Sequence, residues 1–434
     1  MKITVKKLIK NPKGRALELN DEKVSMFTLR IAALKKFVSI PWHISWYRSK
    51  ESQKVFPLLI QEIADLNPDF RNYKRFFPGF NPFFKHLEYL QYYLAFSDGK
   101  IVGRVASFID RNYKEKVFAG KVGAVGLFEA ENINSGKILL EEAIADLKKD
   151  GVEKIVGPMR FNASGEVGLL IDGFDVAPMP MEPYNPPYYK DIFDEFGQKE
   201  NDWFSFLIDK NTPERYMDKI NDFKVDGSQL EDRFKKENIV FRNAEMVHFQ
   251  REIDLIRDVY NKTWDSIEHP QFEKFTDDEF KYIASTIKTV AIEDLIFLVE
   301  ERTNKGNSVL GISVTIPNVN EVISEADKEI YSEFIPSNNP FSLRDFKRDL
   351  LIFGRLKYRV RNKKFNSARI FILGTIKKKV GLDAVLYKRT FDNGERIGMK
   401  YASASQIADT NLNMINPLLR MGKVGFQWRV YRLL

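Results

Sequence analysis

Two apolar runs, YLQYYLAF (89–96) and IVGRVASFID (101–110), flank the polar tetrapeptide SDGK. The Asp98-Gly99 pair between them predicts a tight β-hairpin, because both residues tolerate the positive φ that such turns need. VGAVGLFEA (122–130) predicts a third strand. After ENINSG the spacing changes: KILLEEAIADLKKDG (137–151) repeats its apolar residues at helical intervals and ends at Gly151, a C-cap signal. VEKIVGPM (152–159) predicts a strand, YYKDIFDEFG (188–197) a short helix and DWFSFLID (202–209) a closing strand. Upstream, residues 1 to 85 read as helical and irregular, with a helix in FTLRIAALKKFVSIPWHISW that ends near Pro41.

The same order restarts further on. IVFRNA predicts a strand, EIDLIRDVYNKTWDSI and DEFKYIASTIKTVA predict helices, and LIFLVEE with VLGISVTIPN predicts a hairpin across RTNKGNS. RIFILGTI (strand), GLDAVLYKRTFDNGERIG (helix), KYASASQI (strand), a helix around NMINPLLRMG and FQWRVYRL (strand) finish the chain. Helices, hairpin, strand, helix, strand, helix, strand thus occur twice. The expected organisation is an α/β protein of two tandem domains, residues 1–209 and 237–434, joined by a charged helical linker, 210–236.

Composition changes this picture little. The chain has 434 residues, 44% hydrophobic and 29% charged, the profile of an ordinary globular protein. With no cysteine there is no disulfide framework and no thiolate metal site. The four histidines lie far apart, so no metal is expected. The opening residues lack the apolar core of a signal peptide, and no window approaches the ~20 apolar residues that span a bilayer, so a cytoplasmic location is expected. Charge is informative. Phe341–Thr390 holds 15 Lys and Arg against 3 acidic residues, a net of +12, which leaves the rest of this +8 chain at −4. A patch this local implies an anionic partner at one place.

Several strings resemble a known family. NPFFKHLEYLQYYLAFSDGKIVGRVASFID (81–110), EKIVGPMRFNASGEVGLLIDGFDVAPMPMEPYNPPYYKDIFDEFG (153–197), GLDAVLY (381–387) and DTNLNMINPLLRMG (409–422) are similar to the GNAT (GCN5-related N-acetyltransferase)-like superfamily, and to bacterial tandem GNAT-like proteins within it. The resemblance implies two GNAT-like acyl-CoA N-acyltransferase folds on mixed sheets. It implies acetyl-CoA or another acyl-CoA as cofactor and a small-molecule or peptide amine as acceptor. It also implies where a cofactor sits: a strand–loop–helix whose amides and helix N-terminus cradle the pyrophosphate. In the first half that place is FEAENINSGKILLEEA, where Glu129 and Glu131 repel phosphate and a structural copy is expected. In the second half it is Leu373, Gly374, Thr375, Lys377, Lys378, Lys379 and Gly381, with Asn411 opening a later helix. That loop is shorter than the family's and keeps one pattern glycine, Gly381, so side-chain charge replaces backbone contacts. The family's proton-donating tyrosine has no counterpart here: Leu418 stands at its spacing in the second half and Phe193 in the first.

Candidate bases are Glu300, at the end of a strand, and Asp409, just before Asn411; either is also readable as an exposed carboxylate. The proline-rich loop 160–189 offers a second site through Asn162, Glu166, Glu182, Tyr184, Asn185 and Tyr188, or else it packs between the halves. Three functions therefore stay open: an acyl-CoA-dependent N-acyltransferase of unspecified acceptor; a catalytically inactive GNAT-fold protein binding a small molecule or peptide between its domains; or an anionic-surface binder through the amphipathic basic segment 342–369. No motif for specific nucleic-acid recognition occurs.

Overall fold

The computed structural model describes residues 2–19, 22–69, 80–113, 115, 118–161, 165–209, 227–265, 268–304, 306–330, 334–376 and 381–433. Lys377, Lys378, Lys379 and Asn162 lie outside the described residues, as does most of the expected linker.

The predicted hairpin is β4 (Leu87–Ser97) and β5 (Lys100–Asp110), and its turn has Asp98 at φ +49° and Gly99 at φ +78°. β6 (Val122–Ala130) pairs antiparallel with β5, and β7 (Lys154–Gly157) lies parallel to β6. Helix α4 (Ile133–Lys149) makes that crossover. It starts at a capping box in which Asn132 and Ser135 satisfy each other's backbone N–H groups, and it buries Leu139, Leu140, Ala143, Ile144 and Leu147 against the sheet. The other face is covered by α1 (Ile31–Val38), α2 (Ile40–His43) and α3 (Leu59–Asp65). The first 85 residues are less helical than expected. β1 (Ile3–Lys7) adds to the sheet against β4, and β2 (Arg15–Leu19) pairs with β3 (Glu22–Met26). A five-residue strand that ends in two lysines has too little apolar periodicity to read without its partner.

After β8 (Leu169–Asp172), α5 (Tyr189–Phe196) and β9 (Gly197–Asp209), the second half repeats the first. It has α6 (Gly227–Lys236), β10 (Ile239–Asn243), α7 (Phe249–Thr263), α8 (Asp277–Lys288) and the hairpin β11 (Ile296–Thr303) with β12 (Gly306–Pro317). Then come α9 (Val319–Ile330), α10 (Leu343–Arg361), β13 (Ser367–Thr375), α11 (Leu382–Arg396), β14 (Tyr401–Ala408), α12 (Leu412–Met421) and β15 (Lys423–Leu433). β13 and β14 are the second parallel pair. Helices α7 and α8 cover one face of this half, α11 the other.

The halves do not carry separate sheets. One sheet runs β1-β4-β5-β6-β7-β15-β9-β14-β13-β12-β11-β10, with β8 also on β15. The two closing strands are exchanged: β15, from the second half, lies beside β7, and β9, from the first, lies beside β14. A boundary drawn at residue 209 thus falls just after a strand seated among second-half strands.

Candidate functional site

In each half the parallel strands stay paired briefly and then part. β6 and β7 pair from Val122/Lys154 to Ala124/Val156, and β13 and β14 from Ser367/Tyr401 to Ile370/Ala404. On the older strand of each pair the partner register shifts next to this point, between Arg104 and Ala106 opposite β6 and between Val314 and Thr315 opposite β13. In the first half Leu127 takes φ +51° there, and Met159 crosses over Gly126 so closely that a Cβ at 126 would sit 1.8 Å from the Met159 carbonyl oxygen.

A cavity of about 410 Å³ opens beside this point, between the halves. Its walls mix apolar side chains, among them Trp42, Phe83, Phe161, Ile283, Ile287 and Leu356, with three polar groups.

The first group centres on Arg160, which follows β7. Its guanidinium meets Glu62 on α3 at 3.0 and 3.2 Å, Asp65 at 3.7 Å and Glu166 at 3.9 Å. Burial would lower the Arg160 pKa, but the surrounding carboxylates hold the guanidinium charged and raise it. Tyr282, from α8 of the other half, donates its hydroxyl to Asp65. Burial, with Glu62 and Glu166 nearby, pushes the Asp65 carboxyl up to about 6, against the pull of Arg160 and Tyr282.

The second group surrounds Glu129 on β6. Its carboxylate accepts from the Tyr47 hydroxyl at 2.8 Å and the Tyr189 hydroxyl at 3.1 Å. Tyr189 also accepts from the Ala130 N–H at 2.6 Å. Burial beside Glu129 raises the pKa of both tyrosines, so both stay neutral hydroxyls. Arg104, opposite Glu129 on β5, is 5% exposed and donates to the Phe37 and Val38 carbonyls, while its Nε has no hydrogen-bond partner among the described residues. Burial lowers its pKa, while Glu129 and Glu62 pull the other way, so it sits between the two groups.

The third group ties the proline-rich loop to the second half. Glu182 accepts from Ser403 and Ser405 on β14 and from the Met179 N–H, and Arg369 on β13 donates to the Pro180 carbonyl at 2.6 Å. The loop therefore both packs between the halves and lines the cavity.

Of the residues singled out from sequence, Glu166, Glu182, Tyr184 and Asn185 line this cavity. Tyr188 does not; it donates to the Ala130 carbonyl at 2.7 Å. Glu300 is buried on β11, bound by the Arg242 Nε at 2.7 Å. Asp409 accepts from the Asp202 N–H at 3.1 Å and pairs with Lys199 at 2.9 Å. Leu373, Gly374 and Thr375 end β13, where Gly374 lies under the Trp264 ring. Gly381 is the N-cap of α11 at φ +88°, and Asn411 the buried N-cap of α12; neither cap has a side-chain hydrogen bond. The two loops at the expected cofactor positions thus differ. The α4 N-terminus is closed by Asn132 and Ser135, whereas among the described residues the N-cap of α11, Gly381, offers its first turn no side-chain hydrogen bond. Sequence reasoning passed over Glu62, Asp65, Arg160 and Tyr282. They come from three separate segments, α3, the stretch after β7 and α8, and meet only in the fold.

The repeated unit of antiparallel hairpin and third strand, crossover helix and parallel strand gives this chain a tandem GNAT-like α/β fold. No family model matches the chain. It is 26% identical over 413 residues to the bacterial ceramide synthase of Caulobacter vibrioides, covering 93% of this chain and 94% of that protein. It is 25% identical over 360 residues to protein YghO of Escherichia coli, covering 81% and 83%. Among solved structures it is similar to a tandem GNAT protein from the clavulanic acid biosynthesis pathway, at TM-score 0.44 and 8% identity over 99% of this chain and 98% of that one. A GCN5-related N-acetyltransferase from Sphaerobacter thermophilus gives TM-score 0.41 and 10% identity over 87% and 91%.

Proposed function

We propose that the chain is an N-acyltransferase that moves an acyl group from acyl-CoA to the primary amine of a long-chain, amphiphilic acceptor. The observation that carries this reading is the inter-half cavity, which joins apolar walls to a carboxylate, Asp65, poised near neutral pH. The ceramide synthase at 26% identity supports the acceptor class, since a ceramide is an amide on a long-chain amino alcohol.

Asp65 takes the proton that the amine gives up as its nitrogen forms the new amide bond; the thioester C–S bond breaks, and CoA leaves as its thiol, taking up a proton in turn. Tyr282 and Arg160 fix the carboxylate's orientation, and Arg104, with a donor unused, suits an acceptor oxygen. An apolar slot of about 70 Å³ under α7 and α8 shares Ile283 and Ile287 with the cavity and suits part of an alkyl chain. Acyl-CoA, when bound, supplies the activated thioester. The residues that would hold its phosphates are the uncapped first turn of α11 behind Gly381, together with Lys377, Lys378 and Lys379.

The test is product analysis. Long-chain acyl-CoA and a long-chain amino alcohol are expected to give the amide, and Asp65→Asn to slow it about 100-fold. Calorimetric binding of acyl-CoA with no amide formed from any amine would replace this reading with the non-catalytic one. Unchanged affinity after Lys377, Lys378 and Lys379 are all made Ala would reject that loop.

A further inference from the structure

Helix α10 has two apolar faces, and only one is buried. Ile352 and Leu356 pack inward, and Asp345, Arg348 and Asp349 are buried in ion pairs. At about 100° per residue the opposite face carries Leu343, Phe346, Leu350, Leu351 and Tyr358. All five are exposed, Leu343 by 76% and Leu350 by 58%. Between them on the same face stand Lys347, Lys357 and Arg361. The helix has no other acidic residue than the buried Asp345 and Asp349, so the outward face is purely basic and apolar.

We propose that this face of α10 docks the protein onto the surface of an anionic phospholipid bilayer, lying in the headgroup region without crossing it. Leucine and phenylalanine side chains set among lysines and an arginine match the two layers they would meet, acyl chains below and phosphates above. A nucleic acid would match the charge but leave the leucines without a partner. The helix is firmly anchored for such a load. Arg348 is fully buried, meets both oxygens of Asp327 at 2.7 and 2.9 Å, and donates to the Phe56 and Pro57 carbonyls of the first half, while Lys35 pairs with Asp345 at 2.7 Å. The same helix lines the cavity through Phe353, Leu356 and Lys357, so docking sets the cavity beside the membrane from which a lipid amine would come.

The test is flotation of the full chain with vesicles of phosphatidylcholine alone, or with about one third phosphatidylglycerol. Flotation reads binding without turnover, so its outcome is independent of the acyl-transfer reading. The chain is expected to bind the anionic vesicles. L343S/L350S/L351S is expected to weaken binding about tenfold or more with thermal midpoint unchanged, since all three side chains are exposed. K347E/R361E is expected to remove the preference for anionic lipid. Absence of vesicle binding at low salt would overturn the proposal. So would equal binding by the leucine variant, a solution dimer that the leucine changes dissolve, or RNA binding that matches vesicle binding and ignores those changes.

Discussion

Asp65 is the residue on which most of the chemistry turns, and its environment makes a two-part expectation. Its carboxyl titrates near 6 in the folded chain and near 3.8 when exposed. Between those values the folded state holds a proton that the unfolded state has lost, so this group's contribution to stability falls as pH rises from 4 to above 6. Asp65→Asn has no such dependence. Its thermal midpoint relative to the parent chain should therefore move upward between pH 4 and pH 7, and a constant difference would reject the assigned environment. Acylation should rise with pH through about 6 in the parent chain, and this rise should vanish in Asp65→Asn. Part of the site was visible in the sequence at this scale. Arg104 and Glu129 are charges inside otherwise apolar strands, IVGRVASFID and VGAVGLFEA, and they face each other in the sheet. A charge in such a run is costly unless paired, which is itself a signal. Asp65, in IQEIAD on a short helix, looks like any solvated carboxylate until Tyr282 and Arg160 close over it.

Among the elements, α4 and α11, the helices behind the two expected cofactor loops, invite direct comparison. Asn132 caps α4, so Asn132→Ala should cost about 1 kcal/mol in chemical denaturation while leaving acyl-CoA affinity unchanged. A loss of affinity would place the cofactor in the first half. Helix α10 gives a larger number. Arg348→Ala leaves Asp327 and Asp349 without their buried partner and should cost about 3–5 kcal/mol. Helices and hairpins were legible because capping residues, helical spacing and Asp98-Gly99 are local signals. Helix α9, VNEVISEADKEI, was not read, since its apolar stripe of Val322, Ile323 and Ala326 is short and broken by charge. The amphipathic character of residues 342–369 was legible. Which of its two apolar faces is buried was not, because that is decided by packing against distant residues, Val322, Ile323 and Ala326 of α9 with Val55 and Leu58 of the first half.

For the whole molecule, the repeat of element order was plain from the sequence, and the exchange of closing strands was not. Nothing local distinguishes a strand that returns to its own half from one that crosses to the other, since both need only an apolar face and a free edge. The exchange has a measurable consequence. Residues 1–209 expressed alone lack β15, which separates β7 from β9, and 237–434 lack β9, which separates β14 from β15. Each fragment should fail to show a cooperative thermal transition, whereas the intact chain should unfold in one step by circular dichroism and fluorescence together. Two separate transitions in the intact chain would show that the halves are stable independently.

The exchanged strands also bear on how the chain is made. β15 is synthesised after the other described strands, yet it is the neighbour that completes β7 near the sheet's centre. While the ribosome works through the second half, the first waits with an unfilled edge flanked by apolar side chains. Such an edge recruits other strands. The yield of folded chain in a cell is therefore expected to rise with chaperone supply, and a yield that tracks only the stability of the finished fold would reject this reading.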